Sequence, residues 1–315
     1  MKGVVELSAH FPGIESWTES DFERCRLGRL SNERFDDLVL QLGVRASLGA
    51  DWACRKLFRW LEEEQSDTRR VMLLKAAGGC PCADYPKDLL EQLVKVPYTD
   101  ICVEAAYLLV KTGDEGERAV LALLGSLSKY GRSLCLGVLT YGTGTLDVEA
   151  VAAYANDADS HIRNAALYTL AFRGDSSCTD HLIAPLQRRD TLTKEAALHA
   201  LICVGDDRAV DAVLHRYRLD SARRADGTTI VWELELNYLG QQSAARPDAF
   251  AETRSVTARH WAKRDETEVA WIQAHLPQLA PDFRGQFGPL TEARRTQLRH
   301  TVLSRLQRDL ADSAL

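Results

Sequence analysis

Cysteine and histidine are the side chains best suited to bind metal or act as nucleophiles, and this 315-residue chain holds eight of each. Their spacing does not build a centre. Cys80-Pro81-Cys82 is the only close cysteine pair. Without a second Cys-x-x-Cys or a Cys/His pair it falls short of a zinc site, and Gly78, Gly79 and Pro81 mark its surroundings as a loop. Cys102, Cys135 and Cys203 lie in apolar stretches and read as buried thiols. His161, His181, His199 and His215 recur along the chain without forming a short-range ligand pair. Gly142-Thr143-Gly144 lacks the third, helix-opening glycine of a nucleotide loop, and G-x-S-x-G, H-E-x-x-H and G-x-x-x-x-G-K-[ST] do not occur. The expectation is no catalytic residue, no metal and no cofactor.

The most suggestive constellation is DWACRKLFRWLEEEQ, residues 51 to 65. On a helical wheel Cys54, Leu57, Phe58 and Leu61 form one apolar face, while Trp52 points the other way with Arg55, Lys56, Arg59, Glu62 and Glu63. An outward tryptophan among arginines has the composition of an interface hot spot. Its alternative is a Trp52 covered by the N-terminal segment around Trp17. Glu91, Lys95, Glu117, Asp180, Arg188, Asp211 and Arg216 are polar positions that would extend such a surface. The candidate partner-binding set is Trp52, Arg55, Arg59, Glu62, Glu91, Asp180, Arg188 and Asp211.

The elements that must carry these side chains repeat. SHIRNAALYTLAFRGD at 160 to 175 is followed 31 positions on by TLTKEAALHALICVGD at 191 to 206, with Ala-Ala-Leu, Leu and Gly-Asp in register. The glycines at 78, 113, 142, 174 and 205 extend the period of about thirty upstream. Ile162, Ala165, Ala166 and Leu170 give the first half of a unit one apolar helical face, with Arg163 and Asn164 off it. Ala209, Val210, Val213, Leu214 and Tyr217 give the second half another. Asp159 and Asp190 are natural N-caps for the first helices, and Asp175 and Asp206 for the second. Gly174 and Gly205 are expected to close the first helices in a left-handed conformation. Gly142-Thr143-Gly144 replaces the usual Gly-Asp, which leaves that cap open, and Pro185 falls inside a second helix. Two short helices cannot enclose a core, so each pair must lie against the next.

Gly205-Asp206-Asp207-Arg208-Ala209-Val210 and Asp159-Ser160-His161-Ile162-Arg163-Asn164-Ala165-Ala166 resemble bacterial HEAT repeats of the short type also found in phycobilisome lyases. The resemblance covers residues 67 to 220 well and 31 to 66 more loosely. It implies an all-α, right-handed α-solenoid of stacked two-helix repeats with helical terminal caps, in which the second helices line the concave face. The expected organisation is a cap segment at 1–30, about six repeats over 31–220 and a helical repeat or cap region at 221–315.

At the far end, TTIVWELELNYLG fits a strand through Trp232, Leu234, Leu236 and Tyr238, or a helix through Val231, Leu234 and Tyr238, with Gly240 favouring the helix. The last stretch carries a Leu298, Val302, Leu306 and Leu310 stripe among Arg294, Arg295, Arg299, Arg305 and Arg308, which reads as a packed terminal helix.

The formal charge is -6. Residues 221 to 315 hold 13 basic and 12 acidic side chains, leaving 26 and 33 upstream. An acidic body argues against binding a phosphate backbone and suits a protein partner with a basic surface. No apolar run approaches the roughly 20 residues of a membrane span, and the polar start predicts a cytoplasmic protein. The composite expectation is a non-enzymatic protein-binding scaffold, either an adaptor or an inhibitor or immunity-type protein that sequesters a partner. The alternatives are a bilin lyase-like or DNA glycosylase-like enzyme or subunit, implied by resemblance alone, and a nucleic-acid or membrane-surface binder using the basic terminal helix.

Overall fold

The computed structural model describes residues 11 to 304, apart from 12, 26, 27, 29, 82, 84, 98, 224–231, 286–290, 298 and 301–303. Among the described residues the chain is all-α, with helices and short 3-10 turns and no strand. It divides into two compact units, Met1–Leu146 and Asp147–Leu315.

The first unit contains α1 (Glu19–Glu23), α2 (Asn32–Ser47), α3 (Asp51–Glu63), α4 (Asp67–Ala77), α5 (Lys87–Val94), α6 (Thr99–Val110), α7 (Asp114–Leu123) and α8 (Lys129–Val138). Each first helix packs on the next, α2 on α4, α4 on α6 and α6 on α8, while α3, α5 and α7 form a second layer. The second unit contains α9 (Val148–Ala152), α10 (Ser160–Arg173), α11 (Thr179–Ile183), α12 (Thr191–Val204), α13 (Val210–Arg223), α14 (Trp232–Gln241), α15 (Pro247–Arg259) and α16 (Glu266–His275). Here α10, α12 and α14 stack in order, with α11 and α13 against them. The small, fully buried Ala166, Ala196 and Ala197 occupy α10 and α12, which pack directly together. Ile162, Leu170 and Leu201 are buried beside them, and each such side chain contributes roughly 1.5 to 3 kcal/mol.

The aspartates cap as the repeat predicts. Asp159 accepts from the His161 N–H at 3.0 Å, Asp190 from Thr193 at 2.7 Å, Asp175 from Ser177 at 2.8 Å and Asp206 from Arg208 at 3.1 Å. The glycines do not behave as expected. Gly174 (φ -73°, ψ 178°) and Gly205 (φ -69°, ψ 155°) are extended, not left-handed. Their N–H groups still close the helix on the Leu170 and Leu201 carbonyls. A β-carbon would sit 2.6 Å and 2.7 Å from those same carbonyl oxygens, so close approach is what requires glycine here.

Three local departures follow from named residues. Proline lacks an N–H and crowds the preceding turn, so α11 ends at Ile183 and the chain continues through Pro185 as a 3-10 turn, Ala184–Gln187. The Gly142-Thr143-Gly144 corner is held instead by the start of α7, within the same unit. Asp114 accepts from the Thr145 N–H at 2.5 Å and Glu117 from Gly144 at 2.7 Å, and Asp147 then caps α9. The stretch around Trp232 is helical. α14 is buried all round, with Leu234, Leu236 and Tyr238 covered along with Glu235, Asn237 and Gln241, so no polar face remains to give a clean period.

The carboxyls of Asp175, Asp190 and Asp206 all lie below the ordinary aspartate value of 3.8. For Asp206 the main cause is the Arg208 guanidinium, and for Asp175 the Ser177 hydroxyl. Burial pushes Asp190 upward, but Thr193 and Arg163 outweigh it. Such groups bind fewer protons folded than unfolded, so their stabilisation is complete above the unfolded value and lost as pH falls through the lower folded one. Asp206→Asn keeps a capping oxygen but removes this dependence. Acid titration of its circular dichroism should therefore show a shallower loss of stability below about pH 4 than the parent chain does. Superimposable acid limbs would refute the assignment.

Candidate functional site

On α3, Ala53, Cys54, Leu57, Phe58, Trp60 and Leu61 are buried, while Arg55, Arg59, Glu62 and Glu63 face solvent. Two wheel assignments change. Trp52 is half-buried, its ring 5.6 Å from Phe22, which meets Trp17 at 5.4 Å, which in turn meets Phe11 at 5.4 Å. The tryptophan is thus one end of a four-ring chain whose other three rings come from the N-terminal segment, fastened where Arg45 donates to the Ile14 carbonyl at 2.6 Å. Lys56 is also covered, only 5% exposed, because Glu23 of α1 pairs with it at 2.6 Å and the Trp60 ring lies 5.4 Å away.

The same Glu23 oxygen lies 3.3 Å from Arg59, and the Lys56 hydrogen bond holds the Glu23 carboxyl below the usual range. Beside this pair opens a cleft of about 480 Å³ lined by Glu23, Cys25, Lys56, Arg59, Trp60 and Arg69, among others. Arg69 stacks 4.7 Å from Phe35 and donates to Asn32 and the Leu30 carbonyl. Cations and carboxylates alternate around the cleft, so it has little net charge to offer an ion.

The remaining candidates separate into two groups. Glu91 on α5 is half-buried, Lys95 is exposed, and Arg188 is exposed while donating to the Asn156 carbonyl at 3.2 Å. Asp180 pairs with Arg208 at 2.7 Å and Asp211 with Arg246 at 3.0 Å. With Glu149 and His181 at 3.2 Å, these are rungs joining each second helix to the following one. Exposed rungs of this kind are screened by solvent and add little to stability. Glu117 and Arg216 are not surface groups. Glu117 is 1% exposed and spent on Gly144, and Arg216 is buried against Asp220 at 2.8 Å. Arg55, Arg59 and Glu62 share the solvent side of α3 with the half-buried Trp52, whereas Asp180, Arg188 and Asp211 belong to the second unit.

One surface escapes the wheel reading altogether. Between α2 and α4 lies an open groove of about 460 Å³ with Val39, Leu40, Val71 and Met72 along it and Asp36, Lys75 and Asp100 at its edges. The two helices come close at Gly43, where a β-carbon would meet Ala76 at 3.2 Å, and the groove occupies the neighbouring turns. Leu40 (42% exposed), Val44 (45%) and Leu48 (81%) continue the apolar surface along α2 at four-residue intervals. The signal was present in the sequence: α2 carries this stripe in addition to the buried Phe35, Leu38, Val39, Leu42 and Ala46, so it is apolar on two sides.

No family model and no curated protein matches the chain. Among solved structures, it is similar to the crystal structure of an engineered protein, at 15% identity and a TM-score of 0.43, over 89% of this chain and 76% of that one. Among the described residues, no three His, Cys, Asp or Glu side chains converge to hold a metal ion, and no helix is long and apolar enough to cross a membrane. Arg294 donates to Gln297 and the Ala274 carbonyl, and Arg295 pairs with Glu292. Leu298, Val302, Leu306, Leu310, Arg305 and Arg308 lie outside the described residues.

Proposed function

We propose that this protein is a non-enzymatic binding scaffold, an adaptor or an inhibitor of the sequestering kind, whose partner is another protein. The observation that carries the reading is the α2/α4 groove with its Leu40, Val44 and Leu48 extension. A contiguous apolar surface edged by charge, kept open on rigid stacked helices, is what an interaction site requires. Two of its three charged edge residues, Asp36 and Asp100 against Lys75, are acidic and favour an apolar anchor flanked by basic groups, in keeping with the acidic excess of residues 1 to 220. Arg55, Arg59 and Glu62 offer a second, polar contact area on α3.

Affinity capture from the native cell, followed by titration of the recovered partner, tests this. Leu40→Glu with Val44→Glu should weaken that partner at least tenfold, about 1.4 kcal/mol, while melting as the parent does. Arg59→Glu should have the smaller effect. A partner held equally by all three chains overturns the assignment of the groove. Loss of binding to DNA or anionic vesicles on raising salt, abolished by reversing Arg294 and Arg295, would replace it with the basic-end reading.

A further inference from the structure

α6 and α8 pack side by side as first helices of successive pairs, and their facing surfaces carry Cys102 and Cys135. The two sulfur atoms are 3.6 Å apart and buried, although 33 residues separate them in sequence. They are not bonded: Cys25, Cys54, Cys80, Cys102, Cys135, Cys178 and Cys203 are all thiols. Packing alone would be served by alanine or valine at either position.

Cys102 has a second neighbour, a cavity of about 200 Å³. Lys95 and Pro97 from the end of α5 and the turn after it, and Ser126, Ser128 and Gly131 from the start of α8, line this space. Gly131 lies directly beside the cysteine: a β-carbon there would stand in ordinary contact, 3.8 Å from the Cys102 sulfur. A water occupies about 30 Å³ of liquid, so the space admits a molecule of a few heavy atoms together with its hydration. The hydroxyl of Ser128 and the ammonium of Lys95 are polar groups suited to a small oxygen-rich guest.

The geometry points to Cys102–Cys135 as a reversible dithiol–disulfide site whose oxidant is a small hydroperoxide. The Cys102 thiolate attacks the terminal peroxide oxygen and the O–O bond breaks. The departing oxygen leaves with the electron pair and takes up the proton that Cys102 released, giving water or an alcohol. Cys102 is then a sulfenic acid. Cys135 gives up its proton and attacks the Cys102 sulfur, the S–O bond breaks, and hydroxide leaves with that proton as water. One peroxide is reduced by two electrons and one disulfide forms. A dithiol reductant reverses the reaction by exchange. The order of attack follows from access: Cys102 lines the cavity, whereas Cys135 is wholly buried and is not among its lining residues. Burial pushes Cys178 up to about 11 and Cys203 to about 12, which leaves them poor competitors.

The closed bond would tie α6 to α8 across a stacking contact and constrain the chain between them. Full-length protein treated with hydrogen peroxide near neutral pH, then alkylated and digested, should yield a Cys102–Cys135 cross-linked peptide two hydrogens lighter than its parts. It should appear before Cys178 or Cys203 is modified and disappear with dithiothreitol, and the melting temperature should rise by several degrees in the oxidised form. Cys135→Ser should instead accumulate a sulfenic acid at Cys102 that dimedone traps, and Cys102→Ser should leave Cys135 a thiol. Peptide mapping of the unsubstituted chain decides the matter even if either variant folds poorly. Recovery of Cys102 and Cys135 as thiols while Cys25 is oxidised overturns the proposal. So does a disulfide joining either of them to a different cysteine.

Discussion

Leu201→Ala should lower the stability of the second unit by about 2 to 5 kcal/mol, read from the midpoint of urea unfolding. Leu201 is fully buried in α12, which packs on α10 before it and α14 after it. Its carbonyl also receives the Gly205 N–H at 2.9 Å, which closes the helix at the corner. Truncation therefore opens a cavity in a helix against which two others pack. Amide exchange should quicken in α10 and α14 as well as in α12, since each pair completes its neighbour's interior. The matching position one repeat earlier, Leu170, should respond alike. A loss below 1 kcal/mol at both sites, or faster exchange confined to the substituted helix, would show that the pairs are energetically independent.

The second large effect is expected at Arg163, which is 4% exposed. Its guanidinium donates to the Asp157 carbonyl at 2.6 Å, the Thr193 hydroxyl at 3.1 Å and the Asp190 carboxylate at 3.1 Å. Asp190 is the N-cap of the next first helix, so one side chain joins the loop before α10 to the start of α12. Arg163→Ala leaves the part-buried Asp157 carbonyl without this donor and the Thr193 hydroxyl with only its bond to Asn164, and should cost about 2 to 3 kcal/mol. The Asp190 share is small because that carboxylate is partly in water. Arg163→Lys should recover little, as a single ammonium cannot span three acceptors in the plane of a guanidinium. A double-mutant cycle with Thr193→Val should report a coupling of at least about 0.5 kcal/mol. Additive losses would mean that the two residues act separately.

Arg163 also shows where reading the sequence reaches its limit. The helices were legible because Ile162, Ala166 and Leu170 recur with helical spacing, and the caps because an aspartate before an apolar helix has few other uses. A charged residue off the apolar face reads as solvated, yet Arg163, Glu117 and Lys56 are buried because another segment comes to cover them. A wheel assigns the face of a helix, not what lies against it. Trp52 shows the same limit: whether it was outward or covered stayed open in the sequence, and Phe22, which half-covers it, lies 30 positions away. Gly174 and Gly205 were legible as corners, but their conformation depends on how near the Leu170 and Leu201 carbonyls pass, which no local pattern encodes. The α2/α4 groove was half visible: the second stripe on α2 could be read, but the groove itself depends on where Ala76 meets Gly43.

The corner at Gly205-Asp206 is fastened from both directions. The Asp206 N–H reaches back to the Thr179 hydroxyl, and the Asp206 carbonyl receives the Tyr238 hydroxyl from the following first helix. An unequal crossover that inserted or excised part of a period would strand at least one of these groups in a dry interior. Insertions and deletions are therefore expected to be least disruptive in whole periods of about thirty codons, cut at equivalent corners. Artificial variants with fewer or more modules should be spliced at those same glycines.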